Sequence, residues 1–151
     1  MRPSSAIAGR LIVAGAAGLL FFAAGCPQSP PADDEAPDPN STISFANQVQ
    51  PILSAECASC HRAGGFAALT GIALRLDSAT NSFNDLTTLR SGRVSGAAFV
   101  VAGDPDASYF FEKINDDDPR SGARMPLGDS ALTENQIETI RLWILQGAAD
   151  N

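Results

Sequence analysis

Five consecutive residues constrain this chain more than any other feature: Cys57-Ala58-Ser59-Cys60-His61. Two thiols stand three residues apart, and the residue after the second carries the only imidazole in the sequence. Several chemistries begin from a C-x-x-C pair. A zinc site takes four ligands, usually Cys and His, and no second cysteine pair follows in the region expected to fold. A thioredoxin-like dithiol belongs at a strand-to-helix junction of a βαβ unit, a pattern missing from this sequence. A structural disulfide leaves the adjoining histidine without a role.

Read with its histidine, the run is C-x-x-C-H, the attachment motif of c-type haem. Each thiol can add across a haem vinyl group, and His61 then lies under the porphyrin as an axial ligand. The second axial ligand is constrained by counting. The methionines are Met1 and Met125, and Met1 falls in a segment expected to be removed. His61 and Met125 are therefore the candidate axial pair, and a protein-supplied bis-His iron is excluded. Met125 sits in Gly122-Ala123-Arg124-Met125-Pro126-Leu127-Gly128, a loop pattern and not a periodic apolar stripe. Pro126 favours extended backbone at Met125, and a thioether is a soft ligand that raises the reduction potential. The alternative keeps Met125 as a packing residue, with the iron five-coordinate or bound by lysine. Lys113, the only lysine, is expected on a helix remote from this loop.

Residues 1–25 read as a signal peptide: Arg2 and Arg10 precede an uncharged apolar stretch, Leu11–Ala24, too short to span a bilayer comfortably. Ala23-Ala24-Gly25-Cys26 is similar to a bacterial lipobox, which makes Cys26 the candidate lipidation site. The alternative is ordinary cleavage that leaves a free thiol. Residues 26–42 form an acidic, proline-rich tether with five prolines and no large apolar side chain. Residues 43–151 are the expected folded domain. Loss of Arg2 and Arg10 takes the formal net charge from −7 to −9. That balance argues against nucleic acid as a partner and favours partners with basic docking patches.

Within the domain, Phe45, Val49, Ile52 and Leu53 share one helical face, with Pro51 expected either to kink the helix or to start it. Ile72–Leu76 alternates as a short extended segment. A short helix is expected around Phe83–Leu89. Asp104 is a candidate N-cap with Pro105 at the first helical position, predicting a helix to about Ile114. Thr133 and Gln136 form a capping box for a last helix that Gly147 terminates, with Ile137, Ile140 and Ile144 as its buried stripe. Arg124, Trp143 and Tyr109 are candidate haem-propionate partners, against the plainer readings of a solvated arginine and packing aromatics. Asp116-Asp117-Asp118 is a candidate partner- or cation-binding run, more often a solvated loop. About 109 residues make a modest core, so the haem is expected to complete the domain.

These segments resemble class I cytochromes c, and more narrowly the short planctomycete-type cytochrome c domains. The likeness covers about Phe45–Ala148. It runs through Val49-Gln50-Pro51-Ile52-Leu53, Cys57-x-x-Cys60-His61, Leu74-Arg75-Leu76-Asp77, Gly103-Asp104-Pro105-Asp106-Ala107-Ser108, Arg124-Met125-Pro126, Leu132-Thr133 and Trp143-Ile144-x-x-Gly147-Ala148. The resemblance implies an all-α small cytochrome c fold, about three to five helices wrapped around one covalent haem, with the N- and C-terminal helices crossing. It implies thioethers at Cys57 and Cys60, His61 proximal and Met125 distal. The family's usual proline carbonyl behind the proximal histidine has no counterpart between His61 and Asp104, so that acceptor stays open. Taken together, the expectation is an exported, lipid-anchored electron carrier on the periplasmic side or cell surface, and not an enzyme. Its rivals are a haem enzyme or gas or peroxide sensor with a displaceable Met125, and a redox-silent binding module.

Overall fold

Helix formation begins where the apolar face begins. In the computed structural model, which describes residues 36–151, Ser44 caps a π-helical turn, Phe45–Val49, by accepting from the Asn47 N–H. That turn runs without a break into α1, Gln50–Glu56, with Pro51 in its first turn. The second expectation for Pro51 holds: it stands in the first turn of a regular helix, and the turn before it is π-helical. Proline has no N–H to donate, so the change of helical pitch falls where one is missing anyway. Phe45, Val49, Ile52 and Leu53 are all buried, as their spacing requires.

Four further helices follow: α2, Phe66–Leu69; α3, Ala79–Thr88; α4, Tyr109–Asn115; and α5, Glu134–Leu145. Among the described residues there is no strand, only one isolated antiparallel bridge between Arg90 and Ala98. The fold is all-α. Ile72–Leu76, expected to be extended, has no regular secondary structure and pairs in no ladder. No described helix is long and apolar enough to cross a membrane. The signal-peptide segment, Cys26 and most of the tether lie outside the described residues.

The core joins the start of the chain to its end. Phe45 lies against Trp143 of α5, ring centroids 5.0 Å apart, and against Phe83 of α3 at 5.5 Å. Ile140, Ile144 and Trp143 are fully buried, Leu142 nearly so, and Ile137 is only half-buried. A polar clasp closes the same junction. Asn151 takes the Phe45 and Ala46 N–H groups and the Ser44 hydroxyl, while Gln146 bridges Ser41 and Ile43. α5 has the full Thr133–Gln136 capping box, and the chain leaves it through Gly147 at φ +102°, a conformation favourable to glycine.

α4 departs from expectation. It is seven residues long, starts at Tyr109 and is capped at Ser108, not Asp104. Asp104 instead closes a turn on the Ala107 N–H, and the buried Ser108 hydroxyl ties back to Asp104 and Val101. Gly103 N–H donates to the Ile144 carbonyl of α5. Residues 103–108 are thus held as a turn by bonds within the loop and one bond to α5, and helix begins only after them. α3 starts earlier than expected because Ser78 caps it through the Asn81 N–H.

Candidate functional site

The two cysteines and the histidine sit on the C-terminal end of α1. Cys57 caps that helix, donating its N–H to the Leu53 carbonyl. Its own carbonyl accepts from both Cys60 and His61, at 3.2 and 2.9 Å, so the five residues close one compact turn. Cys57 is buried and Cys60 exposed. Gly65 seals the loop behind them. A Cβ there would stand 2.3 Å from the Cys60 carbonyl oxygen, so only glycine lets the chain pass this closely. α2 begins at the next residue.

His61 is held on two sides by the extended segment. Its carbonyl accepts the Leu76 N–H at 2.7 Å, and its Nδ1 lies 3.3 Å from the Leu74 carbonyl. A carbonyl only accepts, so Nδ1 carries the proton. Burial lowers the imidazole pKa and so favours the neutral ring, while the Leu74 bond raises it in part. A neutral imidazole protonated at Nδ1 presents the Nε2 lone pair, the form a metal requires. Leu74 is thus the acceptor that no proline supplied. Its position depends on Asp85 of α3, whose carboxylate takes the Arg75 backbone N–H at 2.8 Å and its guanidinium at 3.0 and 2.8 Å. Neither Leu74 nor Asp85 was visible as a site residue; the alternating Ile72–Leu76 run was the only sign.

Met125 stands on a different element. Its N–H donates to the Lys113 carbonyl at 2.7 Å in the last turn of α4. The side chain is half-buried and packs against the hydrophobic core that contains Cys57. The Met125–Pro126 peptide is cis. Lys113 is not remote from this loop. Its Nζ donates to the carbonyls of Ser121, at 2.9 Å, and Ala123. A helix side chain reaches forward over a loop that folds back on it, which spacing along the chain does not reveal.

The three suggested propionate partners have internal roles. Trp143 Nε1 donates to the Ala149 carbonyl, and the Tyr109 hydroxyl to Ser121. Arg124 bonds the Ile114 carbonyl through Nε and Asp117 through Nη1. Asp116, Asp117 and Asp118 are all exposed, as a solvated loop would be. Asp116 and Asp118 line an open cleft of about 640 Å³ with Asp106 and Arg120, apart from the cysteine motif.

Whether this residue set suits a haem can be judged from its chemistry. Burial first, then the charges of Glu56 and Cys60, push the Cys57 thiol up to about 12. Such a thiol is a poor redox nucleophile, which acts as thiolate. Among the described residues no group of three or more His, Cys, Asp or Glu is arranged to hold a metal ion. An imidazole, a soft thioether and two adjacent thiols fit haem c instead. Exposed apolar side chains follow both residues in the chain: Phe66 and Leu69 (63% and 79% exposed) after His61, and Leu127 (62%) after Met125. Apolar surface of this kind suits the face of a porphyrin. Comparison of the chain with family models, with curated proteins and with solved structures finds no match.

Proposed function

We propose that this chain is a monohaem c-type cytochrome, a one-electron carrier working outside the cytoplasmic membrane and anchored there by lipid on Cys26. The observation that carries the reading is the state of His61. It directly follows the Cys57-x-x-Cys60 pair, and its Nδ1 faces the Leu74 carbonyl at 3.3 Å, which leaves Nε2 as the nitrogen for a metal. Cys57 and Cys60 would hold the haem as thioethers, each thiol's sulfur bonding one vinyl carbon and its proton going to the other. His61 and Met125 would be the axial ligands. Once bound, the haem supplies a ferric–ferrous couple that needs no bond change in a substrate.

The chain's own residues then have three tasks. Leu74 orients the imidazole and makes it a stronger donor. The Met125 loop closes the other side, and the apolar side chains Phe66, Leu69 and Leu127 exclude water. The packing of Phe45 against Trp143, joining the first helical segment to the last, is in keeping with the small cytochrome c arrangement. The negative surface around Asp106, Asp116 and Asp118 suits a basic redox partner.

The deciding experiment is the optical spectrum of the ferric holoprotein, produced with haem-attachment machinery. A weak long-wavelength charge-transfer band from methionine sulfur to ferric iron, lost in Met125→Ala, supports the carrier. A high-spin wild-type spectrum with rapid carbon monoxide binding when reduced would overturn it and favour a haem enzyme or sensor.

A further inference from the structure

We infer that Lys113 is a positioning residue for the distal ligand: it grips the Ser121–Met125 loop from both sides and thereby keeps the Met125 thioether on the iron. The inference rests on the reading of Met125 as an axial ligand.

The loop has little else to hold it. It contains no helix or strand, and Gly122 and Ala123 are exposed. Its attachments to α4 are to Tyr109, Lys113 and Ile114. Lys113 contributes three of them: its carbonyl takes the Met125 N–H, while its ammonium donates to the carbonyls of Ser121 and Ala123. Arg124 adds a bond to the neighbouring Ile114 carbonyl at 2.8 Å, and Tyr109 a longer one to Ser121 at 3.4 Å. One residue thus holds the ligand's own backbone and two carbonyls just upstream.

The chemistry explains why such a clamp is useful. A neutral thioether is a weak ligand, so its occupancy depends on how little the loop must be ordered to bring it to the iron. Residues that orient a metal ligand without touching the metal typically change affinity 10–100-fold when removed. An ammonium carries three donors and can hold two carbonyls at once, which a glutamine or methionine of similar length cannot do equally.

The test uses holoproteins with Lys113→Met, Lys113→Gln and Lys113→Arg, the last retaining donors for both carbonyls. In Lys113→Met the ferric sulfur-to-iron band should weaken, and carbon monoxide binding to the ferrous form should accelerate by about 10-fold or more. Amide exchange at Met125 should quicken, a readout independent of electron transfer. Lys113→Arg should restore all three, and Lys113→Gln should lie between, covering the case in which the methionine variant does not fold. A wild-type band that survives unchanged in both Lys113→Met and Lys113→Gln, with carbon monoxide rates within about twofold, would overturn this inference alone. A wild-type spectrum without the band would overturn the ligand assignment as well.

Discussion

Replacing Asp85 by asparagine tests how His61 is held. The Asp85 side chain is 5% exposed, and its two oxygens accept the Arg75 backbone N–H and both guanidinium bonds. Asparagine keeps the shape but turns an NH2 group towards one set of donors. The Arg75 side chain is 45% exposed and regains water, so its share is small. The backbone N–H of Arg75 loses a charged acceptor, worth about 1.5 kcal/mol or more. The total is about 2 kcal/mol, a fall of roughly 8 °C in the melting temperature of a domain this size.

The pH dependence provides an independent check. Burial pushes the Asp85 carboxyl up, but the hydrogen bonds and charge of Arg75 together outweigh it and hold the group below its ordinary value of 3.8. A depressed folded pKa contributes stability that is present above the ordinary value and lost as pH falls through the depressed one. Wild type and Asp85→Asn should therefore differ at neutral pH and converge in acid. The functional consequence follows from geometry. Loosening Arg75 moves the Leu74 carbonyl from His61 Nδ1, making the imidazole a weaker donor to ferric iron. Losing about 0.5–1 kcal/mol of that preference raises the potential by about 20–40 mV. The measurements are thermal melts of the holoprotein across pH, with potentiometry on the same samples. Melting within 2 °C of wild type at pH 7 (about a quarter of the expected shift), or a gap undiminished in acid, would refute the reasoning.

Gly65→Ala places a methyl 2.3 Å from a backbone oxygen in the turn that carries both cysteines. It should destabilise by about 1–3 kcal/mol and lower the yield of covalently attached haem, measured by haem staining against total protein. Ser82 is fully buried and its hydroxyl has no hydrogen-bond partner. Ser82→Ala should therefore raise stability by about 1 kcal/mol, read from the denaturant midpoint; a loss of that size would mean the hydroxyl has a role. Neutralising Asp116 and Asp118 to asparagine should slow electron exchange with a cationic partner several-fold at low salt. It should have little effect at 1 M salt, where screening falls to about 3 Å; equal slowing at both would count against an electrostatic docking surface.

Where structure is dictated locally, the chain could be read directly. The α5 boundaries rest on a capping box closed within four residues and a glycine that leaves the helix at positive φ. The buried face of Phe45, Val49, Ile52 and Leu53 follows from helical periodicity, which a single strand of sequence displays. The cysteine–histidine turn is also local, since Cys57 bonds to Cys60 and His61. Tertiary structure decided the rest. A backbone carbonyl carries no mark in sequence, so the Leu74 acceptor appears only once Asp85 draws the extended segment against His61. The start of α4 shifted because Gly103 and Ser108 bond to Ile144 and Val101 in preference to a helical turn. Lys113 meets the Met125 loop because a chain reversal brings two carbonyls, 8 and 10 residues on, back within reach of one ammonium. The residue types able to bind a haem are written along the chain; their orientation is set by hydrogen bonds between segments that local sequence does not pair.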